Sequence, residues 1–208
     1  DGVALLTGHT AVRVDASGAA RQVLLRATDG TEQALVYDEL LCALGRAPRV
    51  TGYGLEDLGI PLTPRQTITT DAHLATLYPN IYAVGDVAGP FQLTHVAAHQ
   101  AWYAAVNALF GRLKRFRVDY HAIPWCTFTD PELARVGLSE AEAEAQGIPF
   151  EVTRYDIADL DRAIADGSAQ GFVKLLTVPG RDKILGVTIV CEHAGDLLAE
   201  YVLAMKHG

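Results

Sequence analysis

The chain has 208 residues, half of them hydrophobic and a fifth charged, with a formal net charge of −8. That length supports one large domain or two small ones with a real core, and the composition is ordinary for a globular protein. The acidic balance argues against nucleic acid as a partner, because phosphate backbones repel a negative surface, and no apolar run reaches the roughly 18 residues that a membrane span needs.

In chain order, residues 1–44 read as short strands joined by turns. Thr10 to Val14 alternates, Gln22 to Ala27 is a second apolar-rich run, and Leu35 to Tyr37 restarts the extended pattern. Thr28-Asp29-Gly30-Thr31 between them is an Asp-Gly turn signal. Glu39 to Leu44 is expected as a buried strand, broken by Gly45-Arg46-Ala47-Pro48. Residues 49–79 are loop-rich, with Gly52, Gly54, Gly59, Pro61, Pro64 and Pro79. Asn80 to Asp86, NIYAVGD, is expected as a short buried strand ending in Gly85-Asp86. An alanine-rich helix is predicted from Thr94 to about Phe110, with Thr94 as its N-cap.

A polar, basic stretch at 111–121 suggests a boundary near 118–121. Beyond it, strands are expected near 123–128, 133–137, 150–157, 171–178 and 183–191. A helix is predicted over 139–146, with Ser139 and Glu142 as a capping box, and another from Ala194 that still runs at Gly208. The class is α+β with an antiparallel sheet.

Pro79 to Ala101 concentrates the chemistry. An acidic residue at the carboxyl end of a strand accepts hydrogen bonds from sugar-alcohol hydroxyls. Gly85 permits close approach of a ligand. The helix start at Thr94 offers free N–H groups and partial positive charge to a group that becomes anionic, such as the N1/O2 edge of a reduced flavin. Residue chemistry alone leaves a plain strand-turn-helix packing unit equally open.

YAVGDVAG followed by QLTHVA is similar to the second FAD-binding motif of the pyridine nucleotide-disulfide oxidoreductases, a family that includes glutathione reductase, dihydrolipoamide dehydrogenase and mercuric reductase. LLCALGRAP (Leu40 to Pro48) resembles the family's passage from the NAD domain back to the FAD domain. TFTDPELARVGLSEAEAEAQG (Thr127 to Gly147), DRAIADGSAQGFVKLL and ILGVTIVCEHAGDLLAEYVLAM resemble successive parts of its dimerisation domain. The pieces follow the family's order across nearly the whole chain, and their wording leans towards the mercuric reductase and dihydrolipoamide dehydrogenase members. Arg49 after Pro48 departs from the Asn usual in the family.

The resemblance implies remnants of NAD- and FAD-binding α/β domains followed by an antiparallel-sheet dimerisation domain. Residues 1–44 would be the tail of the NAD(P)-binding domain, 45–118 the return segment of the FAD-binding domain and 119–208 the dimerisation domain, incomplete at its C-terminus. Asp86 would hold the FAD ribityl chain, with Gly85 beside it. The backbone of Leu93 and Thr94 would face the flavin N1/O2 side, and Gly45 and Arg46 would sit at the domain boundary. FAD and NAD(P)H are the implied cofactors, a homodimer through 119–208 the implied assembly, and the cytoplasm the implied location.

The family's relay needs a GxGxxG for each dinucleotide and a CxxxxC pair, and none is present. GYGLEDLG (Gly52 to Gly59) has the wrong spacing and no preceding strand. The terminal HxxPTxxE segment with the family's His-Glu pair is absent too, so no catalytic residue is assigned and the chain alone is expected to be inactive and to retain little FAD. The start at Asp1-Gly2-Val3, without Met or a signal-peptide pattern, is expected of a fragment or processed chain. Cys42, Cys126 and Cys191 are expected as buried thiols in strands. His95 and His99 have metal-compatible spacing without further ligands, and Asp156, Asp159, Asp161 and Asp166 read as a solvated loop, so no metal site is assigned. His121 and His193 have no base or nucleophile partner. The alternatives are a same-fold flavoprotein without a redox disulfide, transhydrogenase-like, and a non-catalytic dimerisation module.

Overall fold

A computed structural model describes residues 2–18 and 20–208; Asp1 and Ala19 lie outside the described residues. The chain divides into two compact units, one up to Arg46 and one from Ala47 to Gly208.

The first unit is an antiparallel meander of β1 (His9–Asp15), β2 (Gln22–Ala27) and β3 (Glu32–Val36), in that order. The expected turn joins β2 to β3. Gly30 takes φ +87, and the Asp29 carboxylate accepts from the Thr31 N–H at 2.9 Å. An Asp side chain that bonds the backbone two residues on stabilises such a turn. Glu39 to Leu44 is not the expected buried strand. It is irregular, with Leu41 90% and Leu44 80% exposed. A buried strand needs hydrogen-bonded neighbours, and no strand of the meander pairs with this run.

In the second unit, residues 47–93 are mostly turns around a small core of Ile60, Ile68 and Ala83. Asn80 to Asp86 is not the expected strand either. It makes a single antiparallel bridge, Ala75 to Tyr82, and then coils into a 3-10 turn over Gly85–Val87. Again the apolar pattern is present, and among the described residues no strand pairs with it beyond that bridge. Helix α1 (Thr94–Phe110) follows. Thr94 is its first helical residue rather than its cap: Leu93 occupies the cap position in extended conformation (φ −129°, ψ 135°), with no side-chain capping bond.

The remainder is a five-stranded antiparallel sheet in the order β4-β5-β8-β7-β6. Its members are β4 (Pro124–Thr127), β5 (Glu132–Gly137), β6 (Glu151–Asp156), β7 (Phe172–Thr177) and β8 (Ile184–Cys191). The helices are α2 (Glu140–Ala145), α3 (Asp161–Asp166) and α4 (Ala194–His207). The register aligns Ala134, Ile189 and Val173 in one row and Val136, Val187 and Leu175 in the next. Side chains alternate across a strand, so these rows share one face. That face packs against Ala194, Leu198 and Met205 of α4.

The opposite face carries the row Trp125, Arg135, Thr188, Lys174, Arg154. Arg135 stacks 4.8 Å from the Trp125 ring centre and Arg154 4.3 Å from that of Phe172. Ion pairs from Arg135 to Glu142 and from Lys174 to Glu140 tie α2 to this face. The expected capping box is present: Ser139 Oγ accepts from the Glu142 N–H at 3.3 Å, and the Glu142 carboxylate accepts from the Ser139 N–H at 2.8 Å.

Two further expectations are corrected. The acidic stretch is not a loop throughout: Ile157–Asp159 forms a 3-10 turn around the buried Ile157, and Asp161–Asp166 forms α3. Gly167, left-handed at φ +75, ends α3, and Arg162 pairs with Asp166 one turn on. The thiols also differ from one another. Cys191 is buried in β8 and Cys126 is half-buried in β4, but Cys42 is exposed in the irregular run.

Candidate cofactor-binding site

The structure brings Gly85, Asp86, Leu93 and Thr94 into one substructure, the 3-10 turn and the start of α1 against which it packs. Gly85 has φ +74, a region that L side chains rarely adopt. A Cβ there would lie 3.1 Å from Ala97 Cβ, so the turn sits almost directly on α1. The Ala88 and Gly89 N–H groups both donate to the Gly85 carbonyl, at 2.9 and 3.0 Å.

Asp86 lies in this turn, half-buried, and its carboxylate makes no hydrogen bond or ion pair to another described residue. The first N–H that α1 uses internally is that of Ala97, which donates to the Leu93 carbonyl at 3.0 Å. The amides of Thr94, His95 and Val96 come before it, so they have no intrahelical acceptor. Donors at a positive helix end and a free carboxylate form one patch able to recognise a ligand with both hydroxyls and an electron-rich edge.

Two residues here were missed by sequence reasoning. Gln100 is fully buried; its Oε1 accepts from the Gly85 N–H at 2.5 Å, and its Nε2 donates to the Gly89 carbonyl at 2.6 Å and to the Tyr120 hydroxyl at 2.8 Å. Burial pushes the Tyr120 phenol above its ordinary range, against the opposing effect of its contact with Gln100. A glutamine inside an alanine-rich helix gives no pattern signal beyond its place two turns from Asn107, the other buried polar residue among the described residues.

Gly45 and Arg46 close the first unit; Gly45 is left-handed at φ +117. The ring nitrogens of the spaced histidines meet backbone carbonyls: His95 Nε2 donates to Pro124 at 2.7 Å and His99 Nε2 to Asp119 at 2.8 Å. Both thus fasten α1 to the segment leading into the sheet. Cys126 and Cys191 are free thiols held above their ordinary pKa by burial and by the Glu132 carboxylate. Such thiols are poor nucleophiles, since the thiolate is the reactive form.

Fold and patch together define the class: a turn-rich segment with an open helix start, followed by a five-stranded antiparallel-sheet domain. Residues 1–101 match the model of the pyridine nucleotide-disulphide oxidoreductases, and residues 123–208 match the dimerisation domain of the same family. The chain belongs to the pyridine nucleotide-disulphide oxidoreductase family.

The dihydrolipoyl dehydrogenase of Thermus scotoductus is 37% identical over 209 residues, covering 100% of this chain and 44% of that protein. The dihydrolipoyl dehydrogenase of Chlamydia muridarum is 39% identical over 171 residues, 82% of this chain and 36% of that protein. Among solved structures, LpdA from Mycobacterium tuberculosis superposes with a TM-score of 0.82 at 29% identity, covering 99% of this chain and 43% of that one. The HOCl-induced flavoprotein disulfide reductase RclA from Escherichia coli superposes with a TM-score of 0.79 at 26% identity, covering 96% and 44%. The chain therefore spans less than half the length of these relatives.

Proposed function

We propose that the chain forms part of an FAD-dependent NAD(P)H oxidoreductase that passes electrons from nicotinamide through flavin to a disulfide or related acceptor. The carrying observation is that an Asp86 carboxylate unpartnered among the described residues lies beside the open start of α1. In this reading the Asp86 carboxylate accepts hydrogen bonds from the ribityl hydroxyls. Gly85, where a Cβ would meet Ala97, lets the turn that carries Asp86 sit against the start of α1. The Leu93–Thr94 backbone presents α1's positive end to the N1/O2 edge of the ring. Flavin, when bound, supplies reversible two-electron transfer; the residues here bind it, orient it and favour negative charge at that edge.

Residues 1–44 act as the tail of the NAD(P)-binding domain, 45–118 as the return segment of the FAD-binding domain and 119–208 as the dimerisation domain of a homodimer. Gly45 and Arg46 lie at the first of these boundaries. A C2 interface makes any sharing of residues between subunits reciprocal. The names of the dihydrolipoyl dehydrogenase relatives favour a dithiol of the lipoyl kind as the partner in electron transfer.

The test compares the 208-residue chain with a version extended to the length of its relatives. The extended protein is expected to show the visible flavin absorption band and its bleaching by NADH or NADPH. The 208 residues alone are expected to retain little or no FAD and to be inactive. An extended protein without flavin overturns the proposal. Asp86→Ala is expected to weaken FAD binding roughly ten- to a hundredfold, since losing a hydrogen bond to a charged group costs about 1.5–3 kcal/mol.

A further inference from the structure

Gln100 is fully buried, and its amide spans the turn that contains Asp86. Burying an amide without partners is costly, so a site that only needed filling would favour an apolar side chain. Gln100 instead satisfies two backbone groups. The amide's direction is fixed by chemistry: Oε1 must face the Gly85 N–H, and Nε2 the Gly89 carbonyl. The flipped amide would set donor against donor and acceptor against acceptor at 2.5 and 2.6 Å. Tyr120 Oη, 2.8 Å from Nε2, accepts from the same amide nitrogen and braces it, while the two backbone groups set the direction, since a phenol hydroxyl can donate or accept. Burial raises the phenol's pKa there, and its ring lies 5.9 Å from that of Phe91, next to the turn.

Both ends of the five-residue segment from Gly85 to Gly89 are thus pinned to one side chain of α1, and Asp86 lies between the pins. We propose that Gln100 is a positioning residue for the flavin-facing turn, aiming the Asp86 carboxylate, and that the Tyr120 hydroxyl braces the Gln100 amide in place. The inference rests on the flavin reading of Asp86 for its functional half, and on the hydrogen bonds alone for its structural half.

Two measurements separate these halves. In the 208-residue chain, amide hydrogen exchange at Gly85 is expected to rise about tenfold in Gln100→Leu and about threefold in Tyr120→Phe, as hydrogen bonds of ordinary net strength are lost. Unchanged exchange at Gly85 in a folded Gln100→Leu protein overturns the inference whatever the fate of the function.

In the flavin-loaded extended protein, Gln100→Leu is expected to raise the FAD dissociation constant about tenfold, and to have almost no further effect when Asp86 is already Ala, because residues acting through one another are not additive. An equal penalty in both backgrounds shows a general packing effect and overturns the positioning role. Where Gln100→Leu does not fold, Tyr120→Phe carries the same cycle, with an expected threefold effect that vanishes in the Asp86→Ala background. A wild-type extended protein without flavin sinks the proposed function and this role together, with the exchange result still deciding the clamp.

Discussion

Replacing Gly85 by alanine isolates what the turn demands of its backbone. Two effects add. The residue sits at φ +74, and a left-handed L residue costs roughly 1–2 kcal/mol. The new Cβ would also lie 3.1 Å from Ala97 Cβ, and overpacking of this sort costs typically about 1–3 kcal/mol unless the neighbour gives. Gly85→Ala should therefore cost about 2–5 kcal/mol.

Gly180 is the control. It has φ +66, and a Cβ there would meet nothing within 4 Å, so Gly180→Ala carries only the first effect, about 1–2 kcal/mol. Equilibrium denaturation followed by Trp102 and Trp125 fluorescence measures both. Ala97→Gly introduced into Gly85→Ala should recover part of the difference after subtracting its own helix cost of about 0.5–1 kcal/mol. Equal destabilisation by the two glycine substitutions, or no coupling between positions 85 and 97, refutes the reasoning that the turn rests directly on α1.

The remaining predictions concern the sheet domain and the segment leading into it. Leu198, 2% exposed, joins α4 to the sheet, so Leu198→Ala is expected to cost about 2–5 kcal/mol by denaturant titration. Ser139→Ala removes one half of the capping box and should cost about 0.5–2 kcal/mol in the same assay. Tyr120 has a raised pKa when folded, so above pH about 10 the unfolded phenol loses its proton first. The folded state then binds more protons than the unfolded state, and stability falls as pH rises. Thermal melts between neutral and strongly alkaline pH should show this loss in the wild type and a smaller one in Tyr120→Phe.

The sequence made the sheet domain legible almost strand by strand. There the pairing partners lie close along the chain, as in β7 and β8, and period-2 burial such as Val187, Ile189 and Cys191 is written in residue type. Capping at Ser139 was legible because both partners are local. The failures have a different physical character. Glu39 to Leu44 and Asn80 to Asp86 carry the apolar pattern of buried strands, but that pattern encodes burial and says nothing about who supplies the neighbouring strands. Helix α3 was hidden because the carboxylates in and around it read as solvation, while its determinants are one buried Ile157 and one left-handed Gly167.

The candidate site shows a further limit of pattern reading. Helix α1 has no Asp, Glu, Lys or Arg in its 17 residues, so apolar periodicity describes it as a uniform packing rod. Its organising contacts are polar. Gln100 and Asn107 stand seven residues apart, which puts them on one face of the helix. Gln100 holds Gly85, Gly89 and Tyr120, while Asn107 donates to the His73 and Phe116 carbonyls at 3.3 and 2.8 Å and accepts from the Phe116 N–H at 2.7 Å. These two amides tie the loops on either side of α1 to the helix. A buried amide that bonds backbone fixes direction as well as distance, which apolar packing does not. That distinction matters at Asp86, where recognition depends on the aim of a carboxylate more than on its presence.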